Sequence, residues 1–590
     1  MGNNRRTGRF ATAQDARWTA ITAAYRADEA TVVQRLCGQT QLPARTAARI
    51  QAQACKLIDG IRATPGSHHV LDALLTEYDL DNVEGIALMC LAEALIRVPD
   101  AATADALISD KIATADWAAH VGHSDSLLAN AATWGLLLGG RLLRRGEGSD
   151  EHLPNALRRL LARSGEPIIR SAVRQAMRLV GGHFVFAADI DAAIARAGAD
   201  RQRRYSFDML GEAARTAEDA DAYFQRYLEA LLRLADSEAN RPWRDSNGIS
   251  VKLSALHPRF DYRHGERVIA QVTERLLALA RAARDADIGV TVDAEEAEVL
   301  QLSLRVFERV YRNPALVGWD GLGLAVQAYG KRALPVIDWL AALAADGARA
   351  IPVRLVKGAY WDREIKYSQQ LGLADYPVFT RKRHTDVSFL ACARRLLEHG
   401  QTLFPQFATH NAWSLAAIAA LAPAGDFEFQ RLHGMGEALY AQVVDDKGPP
   451  PRVYAPVGDH RTLLPYLIRR LLENGANTSF VNQIANPDMP AQALARDPVA
   501  TVAGHAIGRH PAIPVPRHLY GEQRPNPVGV DFSDEHARAR FGAQLQESEA
   551  QAVCAEPVID CEPRTAGTAQ PLRNPADTAQ FVGSVRAATS

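Results

Sequence analysis

Eight short β-prone runs alternate with longer helical segments between about residues 204 and 457, and this alternation constrains the fold more than any other feature. Strands that alternate with helices are typical of a parallel sheet. Eight such units over roughly 250 residues match the count and size of a closed barrel. The pattern therefore predicts an α/β fold, a (βα)8 barrel of the TIM type. The runs are YSFDML from Tyr205, ISVKLSAL from Ile249, GVTVDAEE from Gly289, GLAVQAY from Gly323, VRLVKGAY from Val353, QFATHN from Gln406, FEFQRLHG from Phe427 and RVYAPV from Arg452.

An open, doubly wound parallel sheet is the alternative fold, because the number of strands does not by itself show closure. No GxGxxG sequence follows the first run, so nothing supports the dinucleotide-binding form of that fold. The intervening segments are amphipathic. In the segment after the second run, Val268, Val272, Leu276 and Leu279 fall on one helical face, which we expect to pack against the sheet.

The segments on either side of the predicted barrel differ from it. Residues up to about 180 are rich in Ala and Leu with helical periodicity, and the stretch Ser126–Gly140 is too short to span a bilayer, so it predicts a buried helix. Beyond about Pro487 the sequence is rich in proline and arginine, then acidic and helical, then loop-like. We therefore expect an all-helical N-terminal region, the barrel after it and a peripheral extension beyond it.

Charge and cysteine content exclude several classes of protein. The 67 basic and 68 acidic residues give a formal net charge of -1, so no global positive field is present to hold a nucleic acid, and we expect no nucleic-acid partner. Six cysteines without a CxxC pair, and an N-terminus without an apolar run, indicate a reducing, cytoplasmic location. No amphipathic anchor is evident, so membrane contact is peripheral at most. No HxH or HExxH motif is present, and we expect no metal.

Polar side chains cluster where the predicted strands end. In a closed barrel of this kind the reacting groups lie at those positions. Charges placed there cost several kcal/mol unless they are paired or meet a ligand, so the set as a whole indicates a binding site. Its members are Asp208, Glu212, Lys252, Asp293, Gln327, Arg354, Lys357, His410, Asn411 and Tyr454.

The segment LPYLIRRLLENGAN after the last run adds a pair of arginines. Arg469, Arg470 and Glu473 are spaced so that Glu473 can orient one guanidinium while the forks face a carboxylate or phosphate. Together with Lys252, the pair predicts a pocket of three cations and hence an anionic ligand. Arg354 could instead stabilise negative charge that develops on a bound cofactor.

Several long motifs, in order, resemble one family. They are VKLSALHPRF, TVDAEEAE, VQAYGKRALP, VRLVKGAYWDREIK, ATHNAWS, FEFQRLHGMGEALY and VYAPVGDHRTLLPYLIRRLLENGANTSFVNQI. They are similar to the proline dehydrogenase domain of the bacterial proline utilization A proteins, and the resemblance runs from about residue 10 to 530. It implies a helical arm at 1–65, a helical domain at 66–180, the barrel at 181–530, and at 531–590 a linker with the start of a missing aldehyde dehydrogenase domain. It implies an FAD-dependent barrel that oxidises L-proline to 1-pyrroline-5-carboxylate by hydride transfer to flavin N5.

The resemblance also implies roles for individual residues. Arg354, Lys252 and Asp293 would be the catalytic groups, with Arg354 against flavin N5. The proline carboxylate would be held by Lys252, Arg469 and Arg470, with Asp293 in the same pocket and Glu473 on an arginine, while Tyr360, Leu432 and Tyr454 would wall the ring. The remaining FAD contacts would be Gln327, Lys357, Gly358, Trp361, Thr409, His410, Asn411 and Phe480.

Partners follow from the same resemblance. The family implies a quinone as electron acceptor, hence peripheral contact with the inner face of the bacterial inner membrane, and a downstream pyrroline-5-carboxylate dehydrogenase. Some members begin with a ribbon-helix-helix DNA-binding module. In this sequence only NNRRTGR precedes the predicted arm, so we do not expect that module. The tail PLRNPADTAQFVGSVRAATS resembles the opening of an aldehyde dehydrogenase and then stops, so we expect no aldehyde oxidation by this chain alone.

Two other functions remain open. Lys252 could be the Schiff-base lysine of a cofactorless aldolase or lyase, which would lack the yellow absorbance of flavin. The barrel could also be a non-catalytic proline sensor, which would not turn over with an artificial electron acceptor.

Overall fold

The computed structural model describes residues 16–64, 185–200, 202–422, 426–445, 450–458, 466, 469, 480–486, 488–549 and 553–588. The predicted helical domain at 66–180, including Ser126–Gly140, lies outside these residues, and the predicted domain limits stay predictions. Within the described ranges, no helix combines the length and the apolar character that crossing a bilayer requires.

Eight parallel strands form a closed barrel in chain order, and β8 pairs with β1 to complete it. The predicted barrel is therefore confirmed, and the open sheet is wrong. Closure leaves no strand edge exposed, and the interior side chains form one core. The strands are β1 (Arg204–Met209), β2 (Gly248–Val251), β3 (Val290–Val292), β4 (Leu322–Gln327), β5 (Ile351–Val356), β6 (Leu403–Ala408), β7 (Glu428–Leu432) and β8 (Arg452–Val457).

Helices follow the strands and cover the outside of the barrel. In the helix Gly265–Asp285, the predicted face of Val268, Val272, Leu276 and Leu279 is fully buried, as its spacing required. The other helices around or beside the barrel are Ile190–Ala199, Ala217–Ser237, Leu300–Tyr311, Ala333–Gly347, Trp361–Gln370, Lys382–Glu398, Ala412–Leu421, Glu437–Asp445, Phe480–Ala485, Ala491–Leu494 and Pro498–Ala503.

The N-terminal arm contains the helices Glu29–Thr40 and Ala44–Ala63 and packs on the barrel. It is anchored by Glu29, which is 1% exposed. Its carboxylate accepts hydrogen bonds from the amide and hydroxyl of Thr380 and lies 2.6 Å from Nδ1 of the fully buried His384. A buried carboxylate with this many donors holds the arm in one place.

The arm also contacts a segment far away in the sequence. The Tyr25 hydroxyl donates to Asp531 at 3.1 Å, and Trp18 Nε1 donates to Glu535 at 3.1 Å. These contacts join the described start of the chain to the segment after the barrel.

The C-terminal segment differs from the sequence-based expectation. The predicted acidic helix is present as Glu535–Glu549, but the loop-like remainder is wrong, because it forms β9 (Val553–Ala555), β10 (Val558–Ile559), β11 (Glu562–Pro563), β12 (Ala569–Asn574) and β13 (Asp577–Arg586). These strands make a three-stranded and a two-stranded sheet. Most of their side chains are exposed, so they lack the apolar alternation that reveals a half-buried strand.

Candidate active site

The polar residues at the strand ends meet at one mouth of the barrel. Lys252 and Asp293 directly follow β2 and β3, Arg354 lies within β5 and Tyr454 within β8. Because parallel strands end at the same rim, side chains that are distant in sequence are brought together there. Lys252, Asp293 and Arg354 are 5%, 9% and 3% exposed, so they form a buried polar cluster.

Lys252 is the centre of this cluster. Its Nζ donates to Asp208 Oδ1 at 2.8 Å, to Asp293 Oδ2 at 3.2 Å and to the Tyr454 hydroxyl at 3.2 Å. The Tyr454 hydroxyl in turn donates to Asp293 Oδ2 at 2.7 Å. Asp208 Oδ2 has no hydrogen-bond partner among the described residues. That buried oxygen can still accept a hydrogen bond.

The pKa values of the two carboxyl groups beside Lys252 are shifted in opposite directions. Burial lowers the pKa of Lys252, but the neighbouring Asp208, Tyr454 and Asp293 outweigh burial and hold that pKa well above its usual value. Burial raises the pKa of Asp208. Burial acts in the same way on Asp293, but the attraction of Lys252 and Arg354 outweighs it and lowers the pKa of Asp293. The cluster therefore keeps a protonated amine beside an ionised Asp293.

Arg354 is held by side chains from three strands and a strand end. Its Nη1 donates to Asp293 Oδ1 at 2.9 Å and to Ser250 Oγ at 2.8 Å, and its Nη2 donates to Ser206 Oγ at 3.0 Å. Its Nε donates to Gln430 Oε1 at 2.7 Å. Four of the five guanidinium N–H groups thus have acceptors among the described residues, and one remains for a ligand.

Arg469 forms a bidentate pair with Glu212, with Nη1 to Oε1 at 2.6 Å and Nη2 to Oε2 at 2.8 Å. The predicted partner Glu473 and the second arginine, Arg470, lie outside the described residues, so the role of Glu473 stays a prediction. Burial raises the pKa of Glu212, but Arg469 outweighs burial and lowers it. The guanidinium carbon of Arg469 lies 4.9 Å from the centre of the Tyr360 ring, which places Tyr360 in the same pocket.

Both of the predicted cations that the structure describes have carboxylate partners. Lys252 faces Asp208 and Asp293, and Arg469 faces Glu212. The physical reason is the cost of burying a charge without a counterion. An anionic ligand therefore has to share Lys252 and Arg469 with these carboxylates or displace the carboxylates.

The predicted cofactor residues at the end of β4 and after β5 lie at the same mouth. Gln327 donates through Nε2 to the Glu295 carbonyl at 2.7 Å and accepts from the Ala359 amide at 3.0 Å, so it links two loops. Lys357 forms an ion pair with Asp386, and Trp361 Nε1 donates to the Phe379 carbonyl at 2.9 Å. These contacts fix the loops but leave Trp361 36% exposed.

Gly358 has a φ of +147°, and a Cβ there would lie 2.3 Å from Cγ of Tyr329. No other residue fits this close approach without moving the ring. Gly358 lies two residues after the end of β5, so the glycine lets the Tyr329 ring pack directly on the loop that follows this strand.

The predicted cofactor residues after β6 have local roles as well. Asn411 caps the helix Ala412–Leu421 by accepting from the Ser414 amide at 2.9 Å. His410 Nε2 accepts from the Leu432 amide at 3.1 Å. Thr409 is 4% exposed and Phe480 is 9% exposed. Across the described part of the chain, no group of His, Cys, Asp or Glu side chains could hold a metal ion.

The donor set fits a flavin. Arg354 supplies one N–H group beside a buried carboxylate, and Lys357, paired with Asp386, supplies a second cation. These features suit a cofactor that gains negative charge on reduction and carries phosphates.

Sequence reasoning missed the small polar groups that hold Arg354. Ser206, Ser250 and Gln430 lie inside β1, β2 and β7 and are at most 3% exposed. Polar residues inside strands that are buried on both faces were the available signal. Glu295 was missed too. The Ser254 amide donates to it at 3.0 Å, and burial raises its pKa to about 8.

Sequence models of known families match three successive parts of the chain. The matches are proline utilization A proline dehydrogenase N-terminal domain at residues 19–62, DNA-binding domain of proline dehydrogenase at 70–184, and proline dehydrogenase at 192–483. The chain belongs to the proline utilization A type of proline dehydrogenase. The second match conflicts weakly with the expectation that no nucleic acid binds, and it falls on residues outside those described.

Bacterial relatives of this family share close to half of their aligned residues with the chain. The bifunctional protein PutA of Escherichia coli (strain K12) is 48% identical over 97% of this chain and 44% of its own length. PutA of Rhizobium meliloti is 45% identical over 96% of this chain and 46% of its own length. The chain therefore spans less than half the length of these relatives.

Solved structures of the same family have the same architecture. A crystal structure of a Bradyrhizobium japonicum proline utilization A mutant is 46% identical, with a TM-score of 0.69, over 90% of this chain and 54% of that one. The Bdellovibrio bacteriovorus protein is 22% identical with a TM-score of 0.73, and supports the fold alone.

Proposed function

We propose that this chain oxidises L-proline to 1-pyrroline-5-carboxylate with FAD as its cofactor. The observation that carries the proposal is the buried cluster of Lys252, Asp293 and Arg354 at the carboxyl ends of the strands, in a chain of the proline dehydrogenase family. When bound, FAD supplies a hydride acceptor at its N5 atom.

The cations at the mouth bind and orient the substrate. The carboxylate of proline accepts hydrogen bonds from Arg469 and Lys252, in competition with Glu212 and Asp208, and Tyr360 and Tyr454 wall its ring. Fixing the carboxylate restricts the ring to one orientation, which lowers the entropy barrier of the reaction. The same cations disfavour a protonated amine on the substrate, because like charges raise the cost of that form.

Arg354 stabilises negative charge that develops near the cofactor and does not bind the substrate carboxylate. Held by Asp293, Ser206, Ser250 and Gln430, its guanidinium does not need to reorganise when negative charge develops nearby. Gln327, Lys357, Gly358, Trp361, Thr409, His410, Asn411 and Phe480 are the proposed further contacts of FAD.

The Schiff-base alternative is disfavoured by the surroundings of Lys252. A nucleophilic lysine must lose its proton, and this is helped by apolar or cationic neighbours. Here Asp208 and Asp293 hold the pKa of Lys252 well above its usual value. Electrons leaving the chain are proposed to pass to a quinone, at the inner face of the bacterial inner membrane, and the product to a pyrroline-5-carboxylate dehydrogenase.

The test is a proline-dependent dye-reduction assay of the purified chain with and without added FAD, together with its absorbance spectrum. We expect a yellow protein, reduction of an artificial acceptor by proline, and loss of that activity in Lys252→Met. A chain that takes up no FAD excludes the proposed cofactor. A chain that takes up FAD without turnover favours the proline sensor.

A further inference from the structure

The side chain of Gln430 holds Arg354 from inside the barrel. Arg354 Nε donates to Gln430 Oε1 at 2.7 Å, and Gln430 is 2% exposed. This is the bond to the inner end of the planar guanidinium. The bonds to Ser206, Ser250 and Asp293 all involve its two outer nitrogens. Without the bond to Gln430, the guanidinium plane could tilt about the hydrogen bonds of its two outer nitrogens.

Glu428 determines which end of the Gln430 amide faces Arg354. Gln430 Nε2 donates to Glu428 Oε1 at 2.6 Å, and both side chains lie on the inner face of β7 because they are two positions apart. A carboxylate only accepts hydrogen bonds, so the amide nitrogen must face Glu428 and the amide oxygen must face Arg354. If the amide were flipped by half a turn, its NH2 group would face the N–H of Arg354, two donors together, and its oxygen would face the carboxylate of Glu428, two acceptors together.

Arg452 fixes Glu428 in turn. The ion pair joins Arg452 Nε and Glu428 Oε1 at 2.9 Å, and the two side chains are 5% and 2% exposed. Arg452 also donates to the carbonyl of Ser246 at 2.8 Å and to that of Arg244 at 3.0 Å. A continuous line of buried bonds therefore connects the backbone at the start of the strands to the guanidinium at the mouth.

We propose that Gln430 is a positioning residue for the reaction, acting through Arg354 and oriented by Glu428. The inference rests on the proposed function, since it assumes that Arg354 faces bound FAD. Gln430 itself needs no contact with substrate or cofactor. Its effect on the cofactor must therefore vanish when Arg354 is absent.

A double-mutant cycle tests this dependence, with the midpoint potential of bound FAD as the readout in Gln430→Met, Arg354→Met and the double variant. We expect Gln430→Met to shift the potential downward, in the direction of Arg354→Met but by less, and to add almost nothing in the Arg354→Met background. In the assay, kcat should fall about tenfold, which corresponds to about 1.4 kcal/mol, with KM for proline nearly unchanged.

Gln406→Met is the matched control. Gln406 Nε2 also donates to Glu428 Oε1, at 2.8 Å, but within the described residues Gln406 does not bond to Arg354. Its loss should leave the potential at the wild-type value. Where Gln430→Met does not fold, Gln430→Asn replaces it, because its amide is one methylene too short to reach both partners.

Three results overturn the inference. The first is an unchanged potential in a folded Gln430 variant. The second is an equal shift with and without Arg354, which would mean that Gln430 acts directly. The third is an equal shift in Gln406→Met, which would assign the effect to core packing. In each case the wild type still binds FAD and responds to Arg354→Met, so the proposed function stands. A wild-type chain that binds no FAD overturns both.

Discussion

The base and the mouth of the barrel both contain buried cations, but the partners of these cations differ. At the base, where the strands begin, Arg452 donates to Glu428 and also to backbone carbonyls of Ser246 and Arg244. At the mouth, the ammonium of Lys252 has only side chains as partners among the described residues. A ligand can displace or rotate a side chain, whereas a backbone carbonyl moves only if the fold does. The difference identifies the base as a structural element and the mouth as a site for exchange of partners.

Replacement of Arg452 gives the largest expected effect and tests the base. Arg452→Met leaves Glu428 buried without its counterion, so the free energy of unfolding should fall by about 3–5 kcal/mol, measured by urea denaturation. The control is Arg204→Met. Arg204 lies beside Arg452 in the barrel, but its partner Asp245 is 54% exposed, so the loss should be about 0–1 kcal/mol. Equal losses would contradict the assignment of the base.

Replacement of Arg354 tests the mouth. Arg354→Ala should lower kcat about 100-fold, since it removes a fixed charge beside the site of reaction. It should also shift the midpoint potential of bound FAD downward, because a cation favours the reduced form. Arg354→Lys keeps the charge without the planar fork and should recover part of the potential shift. An unchanged potential in Arg354→Ala would refute this role even if activity fell.

Replacement of Arg469 separates substrate binding from chemistry. Arg469→Met removes a charge-assisted bond of about 1.5–3 kcal/mol to the carboxylate, so KM for proline should rise about 10-fold to 100-fold, with normal FAD content. Arg470→Met is expected to act in the same way. The comparison variant Glu212→Gln keeps the guanidinium and weakens the group that competes with proline for it, so KM should not rise. If both arginine variants bind proline as the wild type does, Arg469 and Arg470 have a structural role and do not hold the substrate.

The smallest expected effect is a pH dependence from the mouth. Burial raises the pKa of Glu295 to about 8 from 4.5, so the folded chain retains a proton that the unfolded chain releases between these values. Its contribution to stability is present below pH 4.5 and is lost as pH rises through about 8. Glu295→Gln should therefore flatten the fall of Tm across this interval. Glu266→Gln, at a surface ion pair, should keep the wild-type slope.

Local patterns predicted the barrel, while contacts across the sequence could not be predicted. The β-prone runs and the buried face of Val268 and Leu276 depend on spacing within a few residues, and the structure confirms them. Arg469 pairs with Glu212, 257 positions away, and no local rule predicts a contact over that distance. The exposed strands β12 and β13 escaped prediction because they do not bury an apolar face.

The anchoring of the N-terminal arm has a consequence for synthesis of the chain. A ribosome releases the N-terminal end first. Glu29 therefore emerges hundreds of residues before Thr380 and His384, its partners in the folded protein, and Tyr25 emerges still earlier relative to Asp531. Until those residues are made, the arm cannot settle in its final place, and its carboxylate stays in water. The first helices of this protein thus reach their final contacts only after residues far along the chain have been made.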